Sequence, residues 1–149
     1  MRLNQVTVAV SDIERSVGFY RTLGLVPVVL APHYARFVCP EGRSTFSVHR
    51  SDRPIASTTV VYFECDDLDA TVKKLEAAGL TFDSQPADQK WSWCEARLHD
   101  PDGNPICLFH AGQNRIDPPW KVGVEVDADA DADAGADAGA GAGGSTQLA

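Results

Sequence analysis

The chain has 149 residues, of which 44% are hydrophobic, so it can bury the core of one domain. Six of its 21 acidic side chains lie between Glu125 and Asp137, which leaves 15 acidic against 13 basic side chains through Lys121 and a net charge of −2 there. No basic patch suits a phosphate backbone and no apolar run reaches the roughly 20 residues of a membrane span, so we expect neither nucleic acid nor membrane as a partner.

The cysteines and the beginning of the chain predict the compartment. The four cysteines show no C-x-x-C pairing and no zinc-ribbon spacing. The first residues run directly into an alternating strand pattern, with no apolar leader and no cleavage site. We therefore expect a cytoplasmic protein with reduced, mostly buried thiols.

The first elements follow a strand–helix–strands pattern. Residues 3–10 alternate as a strand, with Gln5, Thr7 and Ala9 on one face. Residues 11–14 resemble a capping box led by Ser11, and the helix that follows ends at Gly24. Three extended segments then follow. They are predicted at residues 26–30, 35–39 and 45–49.

The same order of elements then repeats 55 residues later. Residues 58–65 predict a strand, Asp66 and Asp67 can cap a second helix, and that helix ends at Gly79. Three more extended segments are predicted, at residues 81–84, 92–98 and 105–110. The fold class is therefore α+β, with two tandem β-α-β-β-β units.

The predicted domain covers residues 1–121. Its two units span about 1–55 and 56–112, and an ordered extension covers 113–121 because Trp120 and two prolines suit a linker poorly. The turn from Asp100 to Asn104 joins the last two strands, with Gly103 free to adopt a positive φ. Residues 122–149 consist mainly of Asp, Ala and Gly, and we predict a disordered acidic tail.

Three segments resemble the vicinal-oxygen-chelate superfamily of glyoxalases, bleomycin resistance proteins and dioxygenases. The segments are LNQVTVAVSDIERSVGFYRTLGL, FECDDLDATVKKLEAAGL and EARLHDPDGNPICLFH. The resemblance implies curved mixed sheets around a cavity that binds a small organic molecule. It also implies a homodimer, because members commonly pair through their sheets.

The resemblance also implies four positions for the ligands of a divalent metal. In this chain they are occupied by Gln5, Ser47, Val60 and Cys107. Valine cannot bind a metal and serine is a poor ligand, so at most two donors remain where a catalytic zinc needs three. We expect no metal, with a displaced Zn, Ni, Mn or Fe site as the alternative. The donors for that alternative would be Gln5, Glu64, His49 and Cys107.

The predicted seventh strand carries a set of side chains that suits a flat or polar ligand. Trp91, Trp93, Glu95 and Arg97 alternate on one of its faces. The simpler interpretation is that the indoles fill the core or a dimer contact. Other predicted pocket residues are Gln5, Ser47, Val60, Tyr62 and Cys107.

Two side chains are candidates for acid–base chemistry. Glu64 shares its strand face with Val60 and Tyr62, and His49 shares a face with Ser47. A half-exposed histidine at the end of a strand is the alternative for His49.

Two functions follow from these patterns. The first is a metal-independent protein that binds a small organic molecule, as bleomycin resistance proteins do. The alternative is a glyoxalase-like lyase or isomerase with a displaced metal or metal-free acid–base chemistry. An extradiol dioxygenase is not expected, because the His-His-Glu ligand set is absent.

Overall fold

The computed structural model describes residues 1–53 and 57–121, so the predicted acidic tail lies outside the described residues. The chain divides into the units Met1–Pro118 and Pro119–Ala149. All helices and strands of the described residues lie in the first unit. Its first repeat contains five elements. They are β1 (Gln5–Val10), α1 (Ile13–Leu23), β2 (Val26–Ala31), β3 (Tyr34–Val38) and β4 (Thr45–Arg50).

The second repeat contains the same succession of elements and ends in a short 3₁₀ turn, Gly112–Arg115. Its elements are β5 (Val61–Glu64), α2 (Leu68–Ala77), β6 (Phe82–Asp88), β7 (Cys94–His99) and β8 (Pro105–His110). The strands form two mixed sheets, ordered β1-β4-β3-β2 and β5-β8-β7-β6. In each sheet the first strand of the repeat pairs in parallel with the last. The predicted α+β fold with two tandem β-α-β-β-β units is confirmed.

Each helix begins at an aspartate whose side chain accepts a backbone N–H in the first turn. Asp12 accepts from Arg15 and Asp67 accepts from Ala70, both at 2.9 Å. The prediction that Ser11 caps the first helix is therefore wrong by one residue, because Ser11 instead donates to Asp102. The predicted stop at Gly24 is confirmed, since its φ of 112° suits glycine.

Alternation along the strands separates a buried face from an open face in both sheets. Val8, Val10, Phe46 and Val48 face the helices in the first sheet, and the second sheet presents similar apolar side chains. The two sets form one hydrophobic cluster. The two repeats therefore share a single core on the helix side, and the opposite face of each sheet is not part of this core.

A buried polar network fastens the predicted turn at residues 100–104 to the first repeat. The Tyr20 hydroxyl donates to Asp100 Oδ2 at 2.9 Å, and Asn104 Nδ2 donates to the same oxygen and to the Ala9 carbonyl. Gly103 takes a φ of 85°, as the turn requires. Burial, and then the neighbouring Asp100 carboxylate, raise the pKa of Tyr20, so its hydroxyl remains a donor.

Three strands differ most in extent from the predictions. The strand predicted at 58–65 covers only Val61–Glu64, so Val60 precedes it, while the one predicted at 81–84 extends over Phe82–Asp88. The seventh strand begins at Cys94 rather than at residue 92, because Ser92 adopts a left-handed φ of 63°. In the described part of the chain, no helix is long and apolar enough to cross a membrane.

Candidate functional site

The open face of the first sheet carries polar side chains from three adjacent strands. Thr7 stands opposite Ser47 in β4, and Ser47 stands opposite Arg36 in β3. The next pair on the same face is His49 and Tyr34. Since side chains on one face of neighbouring strands contact each other, these residues form one surface, which we call the first open face.

The hydroxyl and amide groups of the first open face bond to one another. Ser47 is fully buried, and its hydroxyl lies 2.6 Å from that of Thr7 and 3.3 Å from Gln5 Nε2. The Gln5 Oε1 atom accepts from the Thr45 hydroxyl at 3.1 Å. Both polar ends of the Gln5 amide are therefore engaged with neighbouring side chains.

Tyr34 and Arg36 complete this face, and neither was singled out from the sequence. Arg36 Nε donates to the Tyr34 hydroxyl at 2.9 Å, and its guanidinium carbon lies 5.6 Å from the centre of the Tyr34 ring. The bond from Arg36, followed by one from Ser47, lowers the pKa of Tyr34. The phenol therefore ionises more readily than an ordinary tyrosine.

The open face of the second sheet follows the same register with different side chains. Tyr62 stands opposite Cys107 in β8, and Cys107 stands opposite Arg97 in β7. The next pair on this face is Phe109 and Glu95. We call this surface the second open face.

Aromatic rings cover part of the second open face. Trp93 stacks on Phe109, with ring centres 4.7 Å apart and planes inclined by 22°. The Tyr62 ring meets both edge-on, at 5.8 Å from Phe109 and 6.2 Å from Trp93. Tyr62 is 44% exposed and Trp91 is 43% exposed, so a large aromatic area is open to solvent. Phe109 was not predicted as part of this surface.

The predicted acid and base of the second open face neutralise each other. Glu95 is only 3% exposed, and it accepts from Arg97 at 2.6 Å and from Trp91 Nε1 at 2.8 Å. Hydrogen bonding to Tyr62, and then to Glu95, raises the pKa of Arg97. Trp91 reaches Glu95 from the turn before β7 rather than from the strand itself. Glu95 is thus a buried, fully bonded carboxylate.

The four positions implied for metal ligands do not fit a metal ion. Ser47 is bonded to neighbouring side chains, and Val60 packs with Cys107 in a small apolar cluster. Burial, and then the Glu95 carboxylate, raise the pKa of Cys107 to about 12, so forming the thiolate that zinc needs costs more free energy here than in an ordinary cysteine. Within residues 1–53 and 57–121 there is no group of three or more His, Cys, Asp or Glu side chains able to hold a metal.

The two acid–base candidates lie at exposed positions. The Glu64 carboxylate accepts from Arg115 Nε at 3.0 Å, which ties the 3₁₀ turn to β5. His49 is exposed, two residues beyond Ser47 on the first open face.

A cleft of about 430 Å³ brings residues of the two repeats together. Gln5 and Thr45 line it from the first sheet, and Tyr62 and Glu64 line it from the second. The volume lies within the range of small-molecule pockets. Of the residues predicted for the site, Gln5, Tyr62 and Glu64 therefore meet in one place, which we call the seam cleft.

Residues 2–108 match the model of the Glyoxalase/Bleomycin resistance protein/Dioxygenase superfamily. The match covers most of the chain and includes both repeats except the last two residues of β8 and the 3₁₀ turn. The chain belongs to this superfamily, as the sequence resemblance predicts. A search of curated proteins returns no match.

Solved structures share the fold. A superfamily member from Sphaerobacter thermophilus is 25% identical with a TM-score of 0.63, over 74% of this chain and 97% of that one. A glyoxalase/bleomycin resistance protein/dioxygenase from Nocardioides is 23% identical with a TM-score of 0.67, over 83% and 90%. A family enzyme from Burkholderia phytofirmans is 20% identical with a TM-score of 0.62, over 74% and 99%. These similarities establish the architecture, and function has to be argued from the site.

Proposed function

We propose that this protein binds a small organic molecule, with a flat or aromatic part, in the seam cleft and against the second open face, without a divalent metal. The observation that carries the proposal is the ring cluster of Tyr62, Trp93 and Phe109, partly exposed beside a cleft of suitable volume. Rings of this kind attract flat apolar ligands, and the surrounding polar groups orient them.

The donor chemistry supports the metal-free part of the proposal. Gln5 and Ser47 satisfy each other by hydrogen bonding, and Cys107 remains a protonated thiol. A divalent ion would have to displace these bonds and also find further ligands. The available side chains suit neutral hydrogen bonding better than coordination.

The test of binding is a ligand-observed NMR screen of aromatic fragments, followed by calorimetry on those that bind. We expect Trp93→Leu to weaken the binding of these fragments at least tenfold, because it removes the ring that stacks on Phe109. Phe82→Leu is the matched control, since it also replaces an aromatic ring but Phe82 packs against the core on the helix side, and its affinities should be unchanged. An empty screen, or equal affinities in the two variants, would contradict the proposal.

The test of the metal-free claim is elemental analysis after incubation with Zn²⁺, Ni²⁺, Mn²⁺ or Fe²⁺. We expect less than one tenth of an equivalent of metal to remain after desalting. Near-stoichiometric metal that disappears in Gln5→Ala would refute the claim and favour the lyase or isomerase alternative.

The proposed assembly is a homodimer. Strand β2 lies at the edge of its sheet and exposes Val26, Val28 and Leu30 at 48%, 53% and 64%. An apolar edge of this kind favours association, and a second copy can pair with it antiparallel about a two-fold axis. Light scattering should report twice the chain mass, and Val28→Lys should shift it toward the monomer. A wild-type monomer at high concentration would disprove the dimer.

A further inference from the structure

The two open faces contain arginines in equivalent places but with different electrostatic partners. Arg36 stands opposite Ser47, and Arg97 stands opposite Cys107, the equivalent residue of the second sheet. Each arginine bonds to the residue that precedes it by two positions on the same strand face. The bonded group is the buried carboxylate of Glu95 for Arg97 and the phenol of Tyr34 for Arg36.

The charge of Arg36 is therefore uncompensated. In the described ranges 1–53 and 57–121, no carboxylate lies within ion-pair distance of it, and the hydrogen bond that it donates goes from Nε to Tyr34. A guanidinium has five N–H donors, so its terminal nitrogens are left to face a ligand. Arg36 is half-buried, which strengthens its attraction for an anion relative to a fully solvated arginine.

The neighbouring groups are also arranged as donors. The Tyr34 oxygen accepts from Arg36 Nε. Within the described ranges no acceptor bonds to the hydroxyl proton of Tyr34, so the phenol can donate that proton to a ligand. The fully buried Ser47 lies next to Arg36 on the same face, and its hydroxyl is held in place by hydrogen bonds with Thr7 and Gln5.

We propose that Arg36 and Tyr34 form an oxyanion-binding site on the first open face, so that the ligand of this protein carries a carboxylate or another anionic oxygen group. The inference rests on the proposed function, because it assigns the charged end of the same small molecule. Glu41, Glu64 and Asp66 line the seam cleft and would repel an anion there. The anionic group therefore lies over Arg36, and the uncharged body of the ligand extends toward Gln5 and the cleft.

The first experiment compares 2-naphthoate with 2-naphthylmethanol, which has the same rings without the charge. By calorimetry we expect about tenfold tighter binding of the carboxylate to the wild-type protein, and a smaller difference at high salt. Arg36→Gln should abolish the difference. Arg50→Gln is the matched control, because it removes the same charge from the opposite face of the same sheet, and it should keep the difference.

The second experiment titrates inorganic phosphate at constant ionic strength and follows backbone amides by NMR. The amides of Tyr34 and Ser47 should shift saturably in the wild type and in Arg50→Gln, but not in Arg36→Gln. Equal binding of both naphthalene probes, or a preference that survives Arg36→Gln, would overturn the oxyanion site and leave the proposed function standing. An Arg36-dependent phosphate shift with no binding of either probe would support the oxyanion site and count against the proposed function. Absence of both responses would overturn the two together.

Discussion

The two open faces have the same pattern of strand pairing, but they differ in their polar side chains. The first face is a hydroxyl and amide network around Ser47, with a cationic Arg36 that bonds to the phenol of Tyr34. The second face puts Cys107 in the place of Ser47 and neutralises Arg97 with the buried Glu95. A duplicated backbone therefore supports one surface that suits charge and another that suits aromatic rings.

The repeat therefore determines the position of each side chain on the sheet but not the contacts that the side chain makes. Thr7 and Tyr62 are equivalent through their pairing with Ser47 and Cys107, yet one extends a hydrogen-bond network and the other meets two rings edge-on. Four experiments test these differences between the faces and between the repeats, in order of decreasing expected size.

The thiol of Cys107 should be far less reactive than an ordinary cysteine. Its pKa of about 12, against the usual 9.0, reduces the thiolate fraction near pH 8 by about 1,000-fold. We expect dithionitrobenzoate to modify Cys107 last among the four cysteines, and only as fast as the protein opens. Cys107→Ala should remove the slow phase, and a single fast phase for all four thiols would contradict the expectation.

The two equivalent arginines should differ in their effect on stability. Arg97→Gln leaves the buried Glu95 carboxylate without its cation and should lower the free energy of unfolding by about 2 kcal/mol, less than for a fully buried pair because Arg97 is 42% exposed. Arg36→Gln breaks no ion pair and should cost less than about 0.5 kcal/mol. Urea denaturation measures both, and equal losses would show that the faces are electrostatically alike.

Tyr20 of α1 takes the place that Leu75 takes in α2, and its hydroxyl, which leucine lacks, bonds to Asp100 of the other repeat. Tyr20→Phe should lower the free energy of unfolding by about 1 kcal/mol, because Asp100 loses a buried donor. Tyr62→Phe serves as the control, since its exposed position lets water replace the hydroxyl. Thermal unfolding compares the two, and an unchanged Tm for Tyr20→Phe would mean that this bond contributes nothing net.

Asp102 should give the smallest effect, and it should depend on pH. Burial alone would raise its pKa, but the bonds from Ser11 and Arg15 outweigh burial and lower it. The stabilisation is therefore present above the unfolded pKa of about 4 and is lost as the pH falls through the lower folded value. Asp102→Asn should cost about 0.5–1 kcal/mol at neutral pH and progressively less as the pH falls below the unfolded pKa.

If Asp102→Asn lowers the free energy of unfolding by the same amount at neutral and at acidic pH, the lowered pKa of Asp102 is refuted as the cause. Asp69→Asn is the control, because this residue lies exposed in the first turn of the second helix. Urea denaturation at several pH values provides the comparison.

Much of the fold was predictable because most of its signals are local. The helix stop at Gly24 and the turn at residues 100–104 each depend on neighbouring residues, and both appear in the structure together with the repeated order of elements. The cap at Ser11 was misplaced by one residue because Asp12 competes for the same position and Ser11 finds a distant partner in Asp102.

The candidate site was predictable only in part. Gln5, Tyr62 and Glu64 meet in the seam cleft, but Tyr34 and Arg36 were overlooked, although Arg36 lies on the strand predicted at residues 35–39 and Tyr34 directly precedes that range. The role of Glu95 was also missed. An acid and a base on one strand face suggest a ligand platform, whereas the buried carboxylate here is already neutralised.

The family, the two repeats and the face of each strand residue were predictable from the sequence, because periodicity and turn chemistry act over a few residues. The pairing of Arg97 with Glu95 and the burial of Cys107 became evident in the folded chain. This burial depends on strand register and on side chains distant in the sequence, such as Val60 beside Cys107. Contacts across the sheets therefore decide the chemistry of this protein.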